Sequence, residues 1–138
     1  MEIYRFPATP FVAQFIGTST VIDDFRGYKG FGEVPSGAQA IIRPEFLEAF
    51  KNDSPKFGNL VPMAETGVIK DIAFRGSSLT LTVEVNGRLM TLNRSLERRE
   101  MHVGETVNVL FYRAYVLENG TPRTYTNSLL EGVDVEGL

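Results

Sequence analysis

The chain has 138 residues, of which 43% are hydrophobic and 22% are charged, as in an ordinary globular domain. This length fits a single domain with a core of its own, so we do not expect disorder along the whole chain. The formal net charge of −3 argues against general nucleic-acid binding, which draws most of its affinity from a basic surface. Acidic residues interrupt the basic cluster of Arg94, Arg98 and Arg99, and we expect that cluster to form a solvated face.

Several absences limit the chemistry. The chain has no cysteine, which excludes disulfides, thiolate metal sites and cysteine nucleophiles. Its one histidine, His102, falls in a predicted turn and cannot form a multi-histidine metal site. There is no phosphate-binding G-x-x-x-x-G-K-[ST] motif, and the neighbours Asp23 and Asp24 should point to opposite faces of a strand. We therefore expect no enzyme activity and no cofactor in this chain.

The first segment, residues 2–17, has the pattern of a short amphipathic helix. Thr9 suits the N-cap, Pro10 the first helical position and Gly17 the C-terminal end. The apolar residues that share one helical face are Phe11, Val12, Phe15 and Ile16. Because two phenylalanines on one face need a cover, we expect Phe11 and Phe15 to lie at a domain interface.

From residue 18 onward the hydrophobic period changes towards two, which indicates strands. The predicted strands are residues 18–25, 38–43, 67–74, 78–85, 88–92, 105–117 and 123–126. We predict a helical turn at residues 45–50 and a loop at 51–62. Asn86-Gly87 is the signal of a type I′ turn, which predicts a β-hairpin, and Asn119-Gly120 predicts another turn. Many short strands with glycine-bearing turns predict a mainly β protein, a small barrel or a sandwich.

Residues 2–17 resemble the pattern EIYR-x-PA-x-x-FVA-x-FIG, found in the ATP-binding subunits of importer-type ABC transporters where the nucleotide-binding domain leads into the regulatory domain. Residues 42–45 are similar to the IRPE element of that regulatory domain, and looser matches lie at residues 67–69 and 103–107. The resemblance implies a small OB-like β-barrel of the TOBE type preceded by a short amphipathic helix. Residues 1–17 would then be the linker from a nucleotide-binding domain, and residues 18–138 the regulatory barrel.

The function implied by this resemblance is regulation and dimerisation of the ATP-binding subunit of an ABC importer. The implied partners are the subunit's own nucleotide-binding domain, a second copy, the membrane permease subunits and a small-molecule solute, with no nucleic acid. ATP and Mg would belong to the nucleotide-binding domain alone, because this chain lacks its motifs. The implied location is cytoplasmic, at the inner face of the membrane. The solute stays open between ferric ion, oxyanions, polyamines and sugars, with oxyanions and iron favoured by the resemblance.

Two polar elements are candidate ligand sites. Arg43 and Glu45 flank Pro44 after a predicted strand, where they either form a surface ion pair or contact a partner. The run Thr126, Asn127 and Ser128 is similar to the segment with which some TOBE-type modules hold oxyanions, and a plain turn is its other interpretation.

Three aromatic residues among glycines support an alternative function. Phe25, Tyr28 and Phe31 either cap the barrel or stack on a ligand, as aromatic residues do on OB-folds that bind single strands. The alternative is therefore a free-standing OB-type module for a small anion or single-stranded nucleic acid.

Overall fold

A computed structural model describes residues 19–95 and 101–132. The described residues form two antiparallel sheets and short 3₁₀ turns. The strands are β1 (Thr20–Ile22), β2 (Ala40–Ile42), β3 (Leu47–Phe50), β4 (Glu65–Arg75), β5 (Ser78–Val85), β6 (Arg88–Ser95), β7 (Thr106–Phe111), β8 (Arg113–Glu118) and β9 (Thr121–Thr126). One sheet has the order β1-β2-β8-β9, and the other has the order β3-β7-β4-β5-β6. The 3₁₀ turns are Phe25–Gly27, Pro44–Phe46, Gly58–Met63 and Ser128–Leu130.

The predicted hairpin between β5 and β6 is confirmed. Along β5 buried residues alternate with half-buried ones, as a strand with one face on a core requires. Asn86 and Gly87 have φ angles of 51° and 80°, which a type I′ turn needs at both central positions. Asn119 and Gly120, with φ angles of 52° and 79°, join β8 to β9 in the same way.

Two predicted elements are wrong in type or extent. Residues 45–50 are not a helical turn throughout, because β3 pairs with β7 from Leu47 opposite Phe111 to Phe50 opposite Asn108. Residues 105–117 do not form one strand, because the chain passes from one sheet to the other at Tyr112. The Tyr112 N–H donates to the carbonyl of Phe46 at 2.8 Å, outside both ladders.

Smaller differences concern element ends. The strands predicted at 18–25 and 38–43 are each three residues long, and the one predicted from residue 88 continues to Ser95. The predicted loop 51–62 contains most of a 3₁₀ turn, Gly58–Met63. The predicted helix with Phe11 and Phe15, the linker 1–17, and Arg98 and Arg99 all lie outside the described residues.

Arg94 links the two edges of the five-stranded sheet, which curls until β6 approaches β3. Its guanidinium Nη1 donates a hydrogen bond to the carbonyl of Ala49 in β3 and lies 3.4 Å from the sulfur of Met101. Arg94 is only 9% exposed, so its predicted place on a solvated face is wrong. The curled sheet gives the small OB-like barrel expected from the resemblance.

The four-stranded sheet packs against this barrel and shares its core. β1 reaches β6 through a hydrogen bond of 3.3 Å from the Thr20 hydroxyl to the carbonyl of Leu89. The largest side chains buried in the shared core are Ile22, Phe25, Phe31, Ile42, Ile69, Leu81, Met90, Leu92 and Phe111. A second cluster covers the outer side of β3 and β7, beneath residues 57–64, and consists of Phe50, Phe57, Leu60, Ala64, Leu110 and Leu130.

The three aromatic residues of the glycine-rich stretch belong to the core. Phe25, Tyr28 and Phe31 are 0%, 7% and 1% exposed. The Phe25 ring lies 4.8 Å from that of Tyr28 and 4.6 Å from that of Phe31, and the Tyr28 ring meets Phe111 edge-on at 5.1 Å. Burial raises the pKa of the Tyr28 hydroxyl, since it disfavours the phenolate. These rings pack the barrel and offer no face on which a base could stack.

Candidate functional site

A groove of about 350 Å³ lies where β9 ends and the last 3₁₀ turn begins. We call it the C-terminal groove. Its lining residues are Glu33, Tyr112, Arg113, Thr126, Asn127, Ser128, Leu130 and Glu131. All three residues of the predicted polar run therefore line one concave surface. The pairing of β8 with β9 sets Arg113 opposite Thr126, which adds a guanidinium to the hydroxyl and amide groups of the run.

Asn127 forms the floor of the groove and is 3% exposed. Its side-chain Nδ2 donates to the carbonyl of Phe111 at 2.9 Å and to that of Lys29 at 3.3 Å. Its Oδ1 accepts from the backbone N–H of Leu129 at 2.9 Å, which caps the turn Ser128–Leu130. The amide therefore ties β7, the loop after β1 and the last turn together.

Ser128 strengthens the same junction. Its backbone N–H and its hydroxyl both donate to the carbonyl of Gly30, at 2.9 and 3.1 Å. Gly30 has a φ of +89°, and a Cβ there would lie 1.8 Å from Oδ1 of Asn127. Only glycine fits this approach, because any side chain would occupy the space of the Asn127 amide.

The backbone N–H groups of Asn127, Ser128 and Leu129 are already used within the domain. The N–H of Asn127 donates to the carbonyl of Tyr112 at 2.9 Å, and those of Ser128 and Leu129 make the bonds described above. The Ser128 hydroxyl also donates within the domain, to Gly30, so an oxyanion in the groove would depend mainly on the Arg113 guanidinium and on Thr126. Glu33 and Glu131 line the same surface and would repel it.

The Arg43–Glu45 corner forms an ion pair, with 2.7 Å between Arg43 Nε and Glu45 Oε2. Both side chains are partly exposed, so the pair contributes at most about 1 kcal/mol to stability. Neither residue lines the C-terminal groove. The corner does approach it, because the ring centroid of Phe46 lies 5.8 Å from the guanidinium carbon of Arg113. The structure thus brings Thr126, Asn127 and Ser128 together and leaves Arg43 and Glu45 outside the groove.

Tyr125 lies in β9 and forms a polar cluster with Glu118 of β8 and Arg123 of β9. The Tyr125 hydroxyl donates to Oε1 of Glu118 at 3.1 Å, and the Arg123 guanidinium lies 5.2 Å from the Tyr125 ring. Burial of the hydroxyl, with smaller contributions from Glu118 and Glu33, raises the pKa of Tyr125. The phenol therefore stays protonated and serves as a hydrogen-bond donor.

The family model of the TOBE domain matches residues 40–117, from the first residue of β2 to the next-to-last residue of β8. The match covers more than half of the chain. The chain belongs to the TOBE domain family. A search of curated proteins gave no match. Within this TOBE domain the matched region contains Arg43, Glu45 and Arg113, whereas Thr126–Ser128 follow it.

The described part of the TOBE domain contains no group of three or more His, Asp or Glu residues arranged to hold a metal ion. Its described residues also include no helix long and apolar enough to cross a membrane. His102 is 80% exposed in the turn before β7, and its Nδ1 lies 3.6 Å from Oε1 of Glu105.

Sequence reasoning missed several residues of the groove, namely Glu33, Tyr112, Arg113, Leu130 and Glu131. Local pattern gives no signal for Glu33, which lies far from residue 126 in the chain. Arg113 could have been found, because a charged residue inside the apolar run 105–117 indicates a place where the strand leaves the core.

Proposed function

We propose that this TOBE domain regulates and pairs the ATP-binding subunits of an ABC import transporter. The observation that carries the proposal is the family match over residues 40–117, joined to the resemblance of residues 2–17 to the exit from a nucleotide-binding domain. In the proposed assembly two TOBE domains meet across a two-fold axis and hold two subunits together while their nucleotide-binding domains open and close.

The proposed partners follow from this role. They are the nucleotide-binding domain of the same subunit, a second copy of the subunit and the permease subunits at the cytoplasmic face of the membrane. ATP and Mg act in the nucleotide-binding domain, and the TOBE domain itself turns over no nucleotide. Purified 138-residue chain should therefore show no ATP hydrolysis above a buffer control, and measurable turnover would contradict this part of the proposal.

The C-terminal groove is the proposed place for a regulatory solute. A ligand there changes the balance between two arrangements of the subunits only if it binds one of them more tightly. The groove combines two carboxylates, one guanidinium and the hydroxyls of Thr126 and Ser128. This set favours a ligand with amine or hydroxyl groups over an oxyanion, although the resemblance alone favoured oxyanions and iron.

Self-association is the direct test of the pairing role. Light scattering should give a mass that rises from one chain towards two with protein concentration. The open edges of the four-stranded sheet are poorly suited to strand pairing, since β9 carries Pro122 and an exposed Arg123 and β1 has three residues. We therefore expect a dimer formed through side-chain surfaces, which persists when Thr124 is replaced by proline. A mass of one chain at every concentration would contradict self-association by this domain.

Ligand regulation needs a separate test. Thermal unfolding should be followed with sulfate, molybdate, spermidine and glucose in turn, because a ligand that binds only the folded state raises the midpoint. We expect spermidine or glucose to raise it more than the two oxyanions, and Glu33→Gln to weaken the effect of spermidine. A rise with molybdate alone would contradict the chemistry assigned to the groove.

The alternative is a free-standing OB-type module for a small anion or single-stranded nucleic acid, and its nucleic-acid form has lost its main support. The aromatic residues on which it depended are buried in the core. Fluorescence anisotropy with a labelled single-stranded oligonucleotide at physiological salt should show no binding. Saturable binding there would favour the alternative over the transporter role.

A further inference from the structure

A second pocket, of about 320 Å³, lies on the outer face of the five-stranded sheet. We call it the β4–β7 pocket, and its lining residues are Lys51, Asn52, Thr66, Thr106, Val107 and Asn108. Thr66 of β4 pairs with Asn108 of β7, and Val68 pairs with Thr106. Since alternate residues of a strand share a face, Thr106 and Asn108 point away from the barrel core that contains Val107.

Asn108 is the most informative residue of the pocket. It is 9% exposed, and its Nδ2 donates to the carbonyl of Phe50 at 3.1 Å and to Oδ1 of Asn52 at 2.8 Å. Among the residues that the structure describes, no donor bonds to its Oδ1. These bonds hold the amide in one orientation and leave its carbonyl oxygen as an acceptor at the pocket wall.

Two hydroxyls stand beside this acceptor. The side chains of Thr66 and Thr106 line the pocket and make no hydrogen bond to any residue in the described ranges 19–95 and 101–132. Each hydroxyl donates one hydrogen bond and accepts others. The pocket therefore offers a fixed acceptor and two groups that both donate and accept.

The charged residue of the lining, Lys51, forms an ion pair with Glu105 beside the pocket. Nζ of Lys51 lies 2.7 Å from Oε2 of Glu105, and each side chain is about a third exposed or less. An anion would have to separate Lys51 from Glu105, and a cation would meet the Lys51 ammonium. The pocket thus disfavours ions of either sign and favours a neutral polar molecule.

We propose that the β4–β7 pocket binds a small uncharged polyhydroxyl compound of the size of a hexose or a hexitol. Ligand hydroxyls both donate and accept, which matches the Thr66 and Thr106 hydroxyls and the Asn108 Oδ1. The volume of about 320 Å³ is at the lower end of small-molecule sites. This site is separate from the C-terminal groove, and it does not depend on the transporter role proposed above.

The test is an NMR titration of the ¹⁵N-labelled 138-residue chain with sorbitol. The backbone amides of Asn52, Thr66, Thr106 and Asn108 should show shifts that saturate and do not depend on salt. The double variant Thr66→Val and Thr106→Val keeps the side-chain shape and removes both hydroxyls, and it should weaken sorbitol binding by about tenfold or more. The matched control is Thr82→Val with Thr91→Val, a cross-strand threonine pair of β5 and β6 outside this pocket, and it should bind as the parent does.

Several results would overturn the proposal. Shifts that grow linearly with sorbitol would mean that no site exists, and salt-sensitive saturation by sulfate or putrescine would mean an ionic one. An equal loss of sorbitol binding in the control variant would show that the hydroxyls of the pocket do not bind sorbitol. If the double variant does not fold, the titration is repeated with Thr106→Val alone, whose side chain is exposed. This single variant should bind sorbitol about threefold more weakly than the parent, and unchanged binding would overturn the proposal.

Discussion

Replacing Gly30 with alanine tests the junction that forms the C-terminal groove. The new Cβ would lie 1.8 Å from Oδ1 and 2.2 Å from Cγ of Asn127, so the amide has to move. Movement of the amide breaks its bonds to Phe111, Lys29 and Leu129, at about 0.5–1.5 kcal/mol each. The φ of +89° adds about 1–2 kcal/mol for an L-residue. We therefore expect Gly30→Ala to lower the free energy of unfolding by about 3–6 kcal/mol.

The double-mutant cycle with Asn127→Ala separates the two contributions. Asn127→Ala alone should cost about 2–4 kcal/mol, because it removes the same three bonds and leaves buried groups unpaired. Once the amide is gone, Gly30→Ala should cost only the φ strain. The double variant should therefore be about 2–4 kcal/mol more stable than the sum of the single changes predicts.

The assay is urea unfolding followed by far-ultraviolet circular dichroism, since the chain has no tryptophan. Gly37→Ala is the matched control. Gly37 has a φ of +76°, and among the described residues none beyond its two chain neighbours comes within 4 Å of the position that an alanine methyl would take, so this variant reports the φ strain alone. Additive effects of Gly30→Ala and Asn127→Ala, within about 0.5 kcal/mol, would refute the steric argument. A Gly37→Ala cost equal to that of Gly30→Ala would refute it as well.

Three further predictions concern the barrel and its charges. Arg94→Met keeps much of the side-chain volume but loses the bond to Ala49, so it should lower the free energy of unfolding by about 1.5–3 kcal/mol, and an unchanged urea midpoint would contradict a role in joining β3 to β6. Phe25→Ala leaves a cavity at the centre of the aromatic cluster and should lower the free energy of unfolding by about 3–5 kcal/mol. A small aromatic compound that binds in this cavity should raise the thermal unfolding midpoint of the variant, and no such rise would contradict the cavity. The hydrogen bond from Lys51 holds the pKa of Glu105 below its usual range, so this carboxylate stabilises the fold above its unfolded-state pKa and loses that contribution as the pH falls through the lower folded-state value. Lys51→Met should therefore flatten the acid limb of the stability profile, and an unchanged limb would show that the pair contributes nothing.

The strand pattern of the second half could be predicted from sequence because its determinants are local. Alternation along residues 78–85 and the Asn86-Gly87 turn specify a hairpin wherever the chain places it. By contrast, β3 was mistaken for a helical turn, since four residues are too few for a period to appear. Its pairing with β7, about sixty positions away, decides its conformation.

The candidate site could also be predicted only in part. The polar run Thr126, Asn127 and Ser128 could be recognised in the sequence, but its hydrogen-bonding state could not. Asn127 and Ser128 bond to Lys29 and Gly30, which lie 98 positions earlier in the chain. Only the fold determines which donors are used within the chain and which remain for a ligand.

Composition, hydrophobic period and turn residues therefore determined that this chain is a mainly β domain, and they determined where its hairpin turns lie. The tertiary structure decided which aromatic residues are buried and where Arg94 joins the barrel edges. It also decided the orientation of the Asn108 amide, whose Oδ1 is the proposed acceptor of the β4–β7 pocket. The physical reason is that local periodicity specifies which residues seek a core, whereas burial and the pairing of polar groups depend on contacts between segments far apart in the chain.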